Sequence, residues 1–79
     1  MVFNLRKNIE NKQIEGVVRW YNPTAGLGYV QCADVGQDIL IYAHDVSLAG
    51  LATLHDGQRI SFQVSKEDGQ QRATFIKAL

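Results

Sequence analysis

Hydrophobic and polar positions alternate along most of this chain with the period of a β-strand. Over residues 58–65 the alternation is strict, with Ile60, Phe62 and Val64 on one face and Arg59, Ser61 and Gln63 on the other. Between Trp20 and His44 lie two short apolar runs, Gly26-Leu27-Gly28-Tyr29-Val30 and Ile39-Leu40-Ile41-Tyr42-Ala43. Turn signals at Asn22-Pro23-Thr24 and across residues 34–38 bound them, which marks a hairpin. Residues two apart in a strand share a face. Leu27 with Tyr29 and Leu40 with Tyr42 therefore combine into an apolar and aromatic platform, while Ile39, Ile41 and Ala43 supply a core on the other side.

The flanking segments complete a β pattern. Residues 14–21 read as a strand in which Gly16 suggests a bulge, and the adjacent Trp20 and Tyr21 cannot both point straight inward. Asp56-Gly57 and Glu67-Asp68-Gly69 are turns. A last strand over residues 72–77 buries either Ala73 and Phe75 or Thr74 and Ile76. Residues 44–56 lose the alternation and read as a Leu-rich loop with one helical turn, Gly50 falling in its middle. The expected strands are 14–21, 27–32, 39–43, 58–65 and 72–77. Their spacing, with the long connection between the third and fourth, predicts an all-β, five-stranded antiparallel Greek-key barrel of the OB type.

Residues 14–79 form the expected domain, and residues 1–13 stand apart as an N-terminal extension. The extension mixes Val2, Phe3, Leu5 and Ile9 with Arg6, Lys7, Glu10 and Lys12, which suits a tail or a segment docked on the barrel.

Composition narrows the function. A chain of 79 residues allows one small domain, and a hydrophobic content of 46% is too high for disorder. With Cys32 as the single cysteine, an internal disulfide is excluded. No apolar run approaches the roughly 18 residues of a membrane helix, and the start lacks a signal-peptide core, so the expected location is cytoplasmic, with no membrane partner. Asn22-Pro23-Thr24 is disqualified as a glycosylation sequon by its proline. His44-Asp45 and His55-Asp56 lack ligand spacing of the Cys-x-x-Cys kind, so no metal, cofactor or catalytic group is expected. Eight Lys+Arg balance eight Asp+Glu for a net charge of 0, without the basic excess that nucleic-acid binders usually show.

The residues themselves carry a resemblance. Gly16-Val17-Val18-Arg19-Trp20-Tyr21-Asn22, followed by Gly26-Leu27-Gly28-Tyr29-Val30, Asp38-Ile39-Leu40-Ile41-Tyr42 and Leu54-His55-Asp56-Gly57-Gln58-Arg59-Ile60-Ser61-Phe62, resembles the cold-shock domain family. An RRM is the rival for the Gly26 to Val30 motif. It requires two long helices and the other aromatic motif ahead of this one, and the chain offers neither.

The resemblance implies a non-enzymatic protein that binds single-stranded RNA or DNA by stacking bases on exposed aromatics, as an RNA chaperone or expression regulator. Trp20 matches the family's tryptophan, Arg19 its preceding lysine, Tyr29 the second phenylalanine of the first motif, and Tyr42 the histidine of the second. The site implied is Arg19, Trp20, Tyr21, Asn22, Leu27, Tyr29, Leu40, Tyr42 and His44. Elsewhere the family pattern is broken. Leu27, Leu40 and Ala43 stand in place of stacking aromatics, Ala25 replaces a basic residue, and Leu51 a loop aromatic.

Stacking is worth about 1 to 3 kcal/mol per base, so the three replacements on the platform remove about 2 to 6 kcal/mol. Affinity then falls by about one and a half to four orders of magnitude at 1.4 kcal/mol per tenfold. The expected binding is weak and low in sequence specificity. The alternative is a scaffold whose Leu27 and Leu40 patch meets a protein partner or a second copy.

Overall fold

The computed structural model describes residues 12–33, 36 and 38–79; the expectations for residues 1–11 lie outside the described residues. The elements in order are β1 (Ile14–Asn22), β2 (Leu27–Gln31), β3 (Asp38–Tyr42), α1 (Ala43–Leu48), β4 (Arg59–Glu67) and β5 (Gln70–Ala78). The five strands close into a barrel in the order β1-β2-β3-β5-β4. Every seam is antiparallel except the closing one, where β3 meets β5 in parallel through Leu40 and Arg72.

β1 is long enough to serve two seams. Its first half pairs with β4 from Ile14↔Phe62 to Val17↔Arg59, and its second half with β2 from Val17↔Gln31 to Asn22↔Leu27. Where the strand passes from one partner to the other, the space above Gly16 is filled. A Cβ there would lie 2.6 Å from the Gln31 carbonyl oxygen and 2.8 Å from Val30 Cγ2. Gly16 thus marks a close approach, and the bulge expected at it is found further along, at Arg19.

That bulge decides the parity of β1. Val18 pairs with Val30 but Trp20 with Tyr29, so Arg19 is an extra residue on β1. Before it, Gly16 and Val18 face inward; after it, Trp20 faces out and Tyr21 in. Uninterrupted alternation would have buried Trp20. β5 contains the same device. Ser61 pairs with Lys77 and Gln63 with Thr74, so Phe62 is opposed by both Phe75 and Ile76, and Phe75 takes a positive φ of 49°. Both inward sets expected for this strand are corrected: Ala73 and Ile76 are buried, while Phe75 is 70% exposed.

Val18, Val30, Ile39, Ile41, Ile60 and Phe62 fill the barrel, and Val46 from α1 and Leu54 from the connection between α1 and β4 join the same core. Ala43, expected to extend the core face of the third strand, instead begins α1 and is exposed. The chain turns into a helix at Tyr42, so the period-2 pattern stops there. α1 also brings the buried Asp45 within 3.1 Å of Arg72 Nε, an ion pair across the closing seam that is not aligned as a hydrogen bond. Arg72 Nη1 reaches Glu67 at 3.1 Å. Between β4 and β5, Asp68 and Gly69 both take positive φ, as a two-residue hairpin turn requires. No helix among the described residues is long and apolar enough to cross a membrane.

Candidate functional site

The outer face of β1, β2 and β3 is built row by row from the register. Trp20, Tyr29 and Leu40 lie side by side in one row, and Asn22, Leu27 and Tyr42 in the next. Each leucine therefore stands directly opposite a tyrosine, Leu27 against Tyr42 and Leu40 against Tyr29. The platform expected from the hairpin is present, and the bulge at Arg19 adds Trp20 to it. Trp20 is 41% exposed and Leu27 36%.

The inner side of the same strands explains why the platform is free. Behind it run the rows Val18, Val30, Ile39 and Tyr21, Gly28, Ile41, all buried. Gly28 is the tightest point. A Cβ on it would lie 2.3 Å from the Trp20 carbonyl oxygen and 2.7 Å from Tyr21 Cα, so only a bare backbone fits behind the bulge. The Tyr21 ring packs against Gly28, its Cδ1 at 2.9 Å from the same point. Tyr21, included in the implied site, belongs to the core and is 8% exposed.

The other implied residues sit at the margins. Asn22 Oδ1 accepts hydrogen bonds from the backbone of Thr24 at 2.9 Å and Ala25 at 3.2 Å, which commits its carbonyl to the β1–β2 turn. His44 is exposed on α1, two residues beyond Tyr42. Arg19 is exposed at the bulge and borders a hollow lined by Val17, Gln31, Cys32, Ala33, Gly36 and Asp38.

That hollow adds a row which the sequence reading passed over. Val17, Gln31 and Asp38 continue the outer face beyond Trp20, Tyr29 and Leu40. Asp38 thus lines the same hollow as Arg19, and its carboxylate accepts a hydrogen bond from Gln31 Nε2 at 3.5 Å. The signal was available, since Asp38 lies two residues before Leu40 and shares its face. Two other arginines are engaged elsewhere: Arg59 with Glu15 at 3.1 Å, and Arg72 with Asp45 and Glu67. Among the described residues, Arg19 is the arginine that borders the platform.

Chemically, the described residues of this surface offer flat π faces, apolar side chains and the cation of Arg19, with the acidic Asp38 beside it. Among the described residues no cluster of three or more His, Cys, Asp or Glu is placed to hold a metal.

Comparison with known proteins gives the same direction. The sequence model of the 'Cold-shock' DNA-binding domain matches residues 14–79. The chain is 40% identical over 65 residues to the probable cold shock protein y4cH of Sinorhizobium fredii, covering 80% of this chain and 94% of that protein. It is 32% identical over 69 residues to the cold shock-like protein CspA of Vibrio cholerae, covering 87% and 99%. With the cold shock-like protein CspC of Escherichia coli it shares 32% identity over 59 residues, 75% of this chain and 83% of the other.

Proposed function

The chain belongs to the cold-shock domain family, and on that premise we propose that it binds single-stranded RNA or DNA by stacking bases on Trp20, Tyr29 and Tyr42, with modest affinity and little sequence specificity. The observation that supports this reading most directly is the outward row of Trp20 beside Tyr29, which depends on a bulge that reverses the strand's parity. Every base has a π face, so such a platform accepts any sequence. Leu27 and Leu40 fill the remaining positions with apolar surface that contacts a base edge or sugar without stacking.

Electrostatics sets the strength. Affinity from phosphate contacts grows with each cation that displaces counterions, and here Arg19 works beside Asp38. The protein acts without catalysis in this reading, holding single strands transiently in the manner of an RNA chaperone or expression regulator in the cytoplasm. Docking of a protein partner on Leu27 and Leu40 is less favoured, because each leucine alternates with a tyrosine and the two do not form a continuous aliphatic patch.

The test is a titration of Trp20 fluorescence with oligo-pyrimidine single strands at low and moderate salt. A base stacked on the indole quenches it, and the apparent affinity falls with salt. Absence of any fluorescence or chemical-shift response at millimolar strand excludes the reading.

A further inference from the structure

Away from the stacking face, α1 and β5 frame a groove of about 480 Å³, lined on one side by Asp45, Leu48 and Ala49 and on the other by Arg72 and residues 74–77. It opens because two parallel strands part. β3 and β5 run the same way from the Leu40↔Arg72 bridge, but β3 gives way to α1 after Tyr42 while β5 continues to Ala78. Here the bulge in β5 carries Phe75 onto the outside of the barrel, 70% exposed against 41% for Trp20. Its φ of 49° is a left-handed conformation that bulky residues rarely adopt, and strain of this kind collects at ligand sites.

The polar side chains of the lining differ in what already holds them. Asp45 and Arg72 offset each other at 3.1 Å, and Thr74 Oγ1 donates to the Gln63 carbonyl at 3.3 Å. Lys77 is exposed and joins no ion pair among the described residues. Glu67, the second partner of Arg72, pairs with Gln70 at the far end of β5, about 20 Å from Lys77 and beyond a screening length of about 8 Å. The groove therefore combines an exposed aromatic ring at Phe75 with an uncompensated cation at Lys77. A flat ring that also carries a negative charge meets both, and a nucleotide is such a ligand.

We propose that this groove is a second contact for single-stranded nucleic acid, taking one nucleotide with its base on Phe75 and its phosphate on Lys77. One strand serves both places, so this assignment rests on the binding proposed for Trp20, Tyr29 and Tyr42. The span is short. At the closing seam the backbones of β3 and β5 are about 4.8 Å apart, and Phe75 lies about 10 Å beyond Arg72 along β5. About three or four nucleotides cover that distance even at the duplex rise of about 3.4 Å. An acidic peptide is the poorer occupant, because it meets the cation and leaves the ring without a flat partner.

Titration and NMR of the full chain with oligothymidines of about four and about ten nucleotides test it, since by this span only the longer strand reaches the groove from the platform. Both strands are expected to quench Trp20, and only the longer to shift the Phe75 ring and the Lys77 side chain. Phe75→Asn removes the ring at a left-handed position that asparagine tolerates, and Lys77→Gln removes only the charge. Phe75→Asn is expected to weaken the longer strand about fivefold or more, as loss of one stacked base does, and to leave the shorter unchanged. Lys77→Gln is expected to reduce the salt slope for the longer strand by about one phosphate contact's share. Unaltered binding of the longer strand in both variants, with Trp20 still quenched, overturns the groove and leaves the platform reading standing. Shifts at Phe75 with Trp20 silent do the reverse, supporting the groove and overturning the platform. Equal Phe75 shifts from polyglutamate of matching charge would show that charge alone suffices, and would overturn the nucleotide site.

Discussion

Trp20 and Tyr29 face one another across the β1–β2 seam with ring centroids 6.4 Å apart and planes inclined by 41°. The separation is within the contact range of aromatic pairs, and the tilt leaves each ring an outer face of its own. In the proposed mode of binding the two rings serve as neighbouring platforms for separate bases. Replacing Tyr29 by Ala removes one platform and the neighbour of the other. Single-strand binding is expected to weaken by about 1 to 3 kcal/mol, measured by titration, and the emission of Trp20 in the free protein to shift.

Restoring rings to the leucine positions gives the opposite result. Leu27 and Leu40 each stand across from a tyrosine on the outer face, so Leu27→Phe with Leu40→Phe completes an aromatic surface without entering the core. Affinity for single strands is expected to rise about tenfold or more, on the scale of one additional stacked base, while double-stranded DNA stays poorly bound. A double variant that binds single strands no better than wild type counts against stacking on this face.

The charges beside the platform work against each other. Arg19→Ala is expected to lower affinity and to reduce the slope of log K against log salt by about one phosphate contact's share. Asp38→Asn removes the carboxylate from the same hollow, and affinity at low salt is expected to rise about two- to fivefold, with the gain shrinking as salt screens the charge. Titrations of both variants across a salt series check the signs.

Gly28→Ala tests the packing behind the site. Its methyl group meets the backbone at the Trp20 carbonyl and Tyr21 Cα, neither of which can rotate away. The expected loss is about 2 to 3 kcal/mol of stability in denaturant unfolding, at the upper end of ordinary overpacking, because the strands themselves must separate.

The ion pairs at the closing seam should separate by burial. Arg72→Ala strands the Asp45 carboxylate, which is 4% exposed, and is expected to cost about 3 kcal/mol or more. Glu67→Gln loosens a contact whose acidic side chain is 62% exposed, and its expected cost is under about 1 kcal/mol. Comparable losses in the two variants would show that the buried pair has no special place in closing β3 on β5.

What the sequence determined by itself was whatever depends on uninterrupted period-2 alternation and local turn chemistry. Leu27 faces Tyr42 and Tyr29 faces Leu40 because one turn and one parity govern both strands, and Ile39, Ile41, Ile60 and Phe62 are buried for the same reason. The Asp68-Gly69 turn follows from residues that accept positive φ. Tertiary structure decided everything downstream of a parity change. One extra residue at Arg19 turns Trp20 outward and Tyr21 into the core, and one at Phe75 sends its ring to the surface while burying Ile76. The pairing of Asp45 with Arg72 was equally hidden, because α1 and β5 are brought together only when the barrel closes. A bulge relieves strain that arises when a strand must coil between two partners in a closed sheet, and that strain is a property of the assembled barrel and of no single segment.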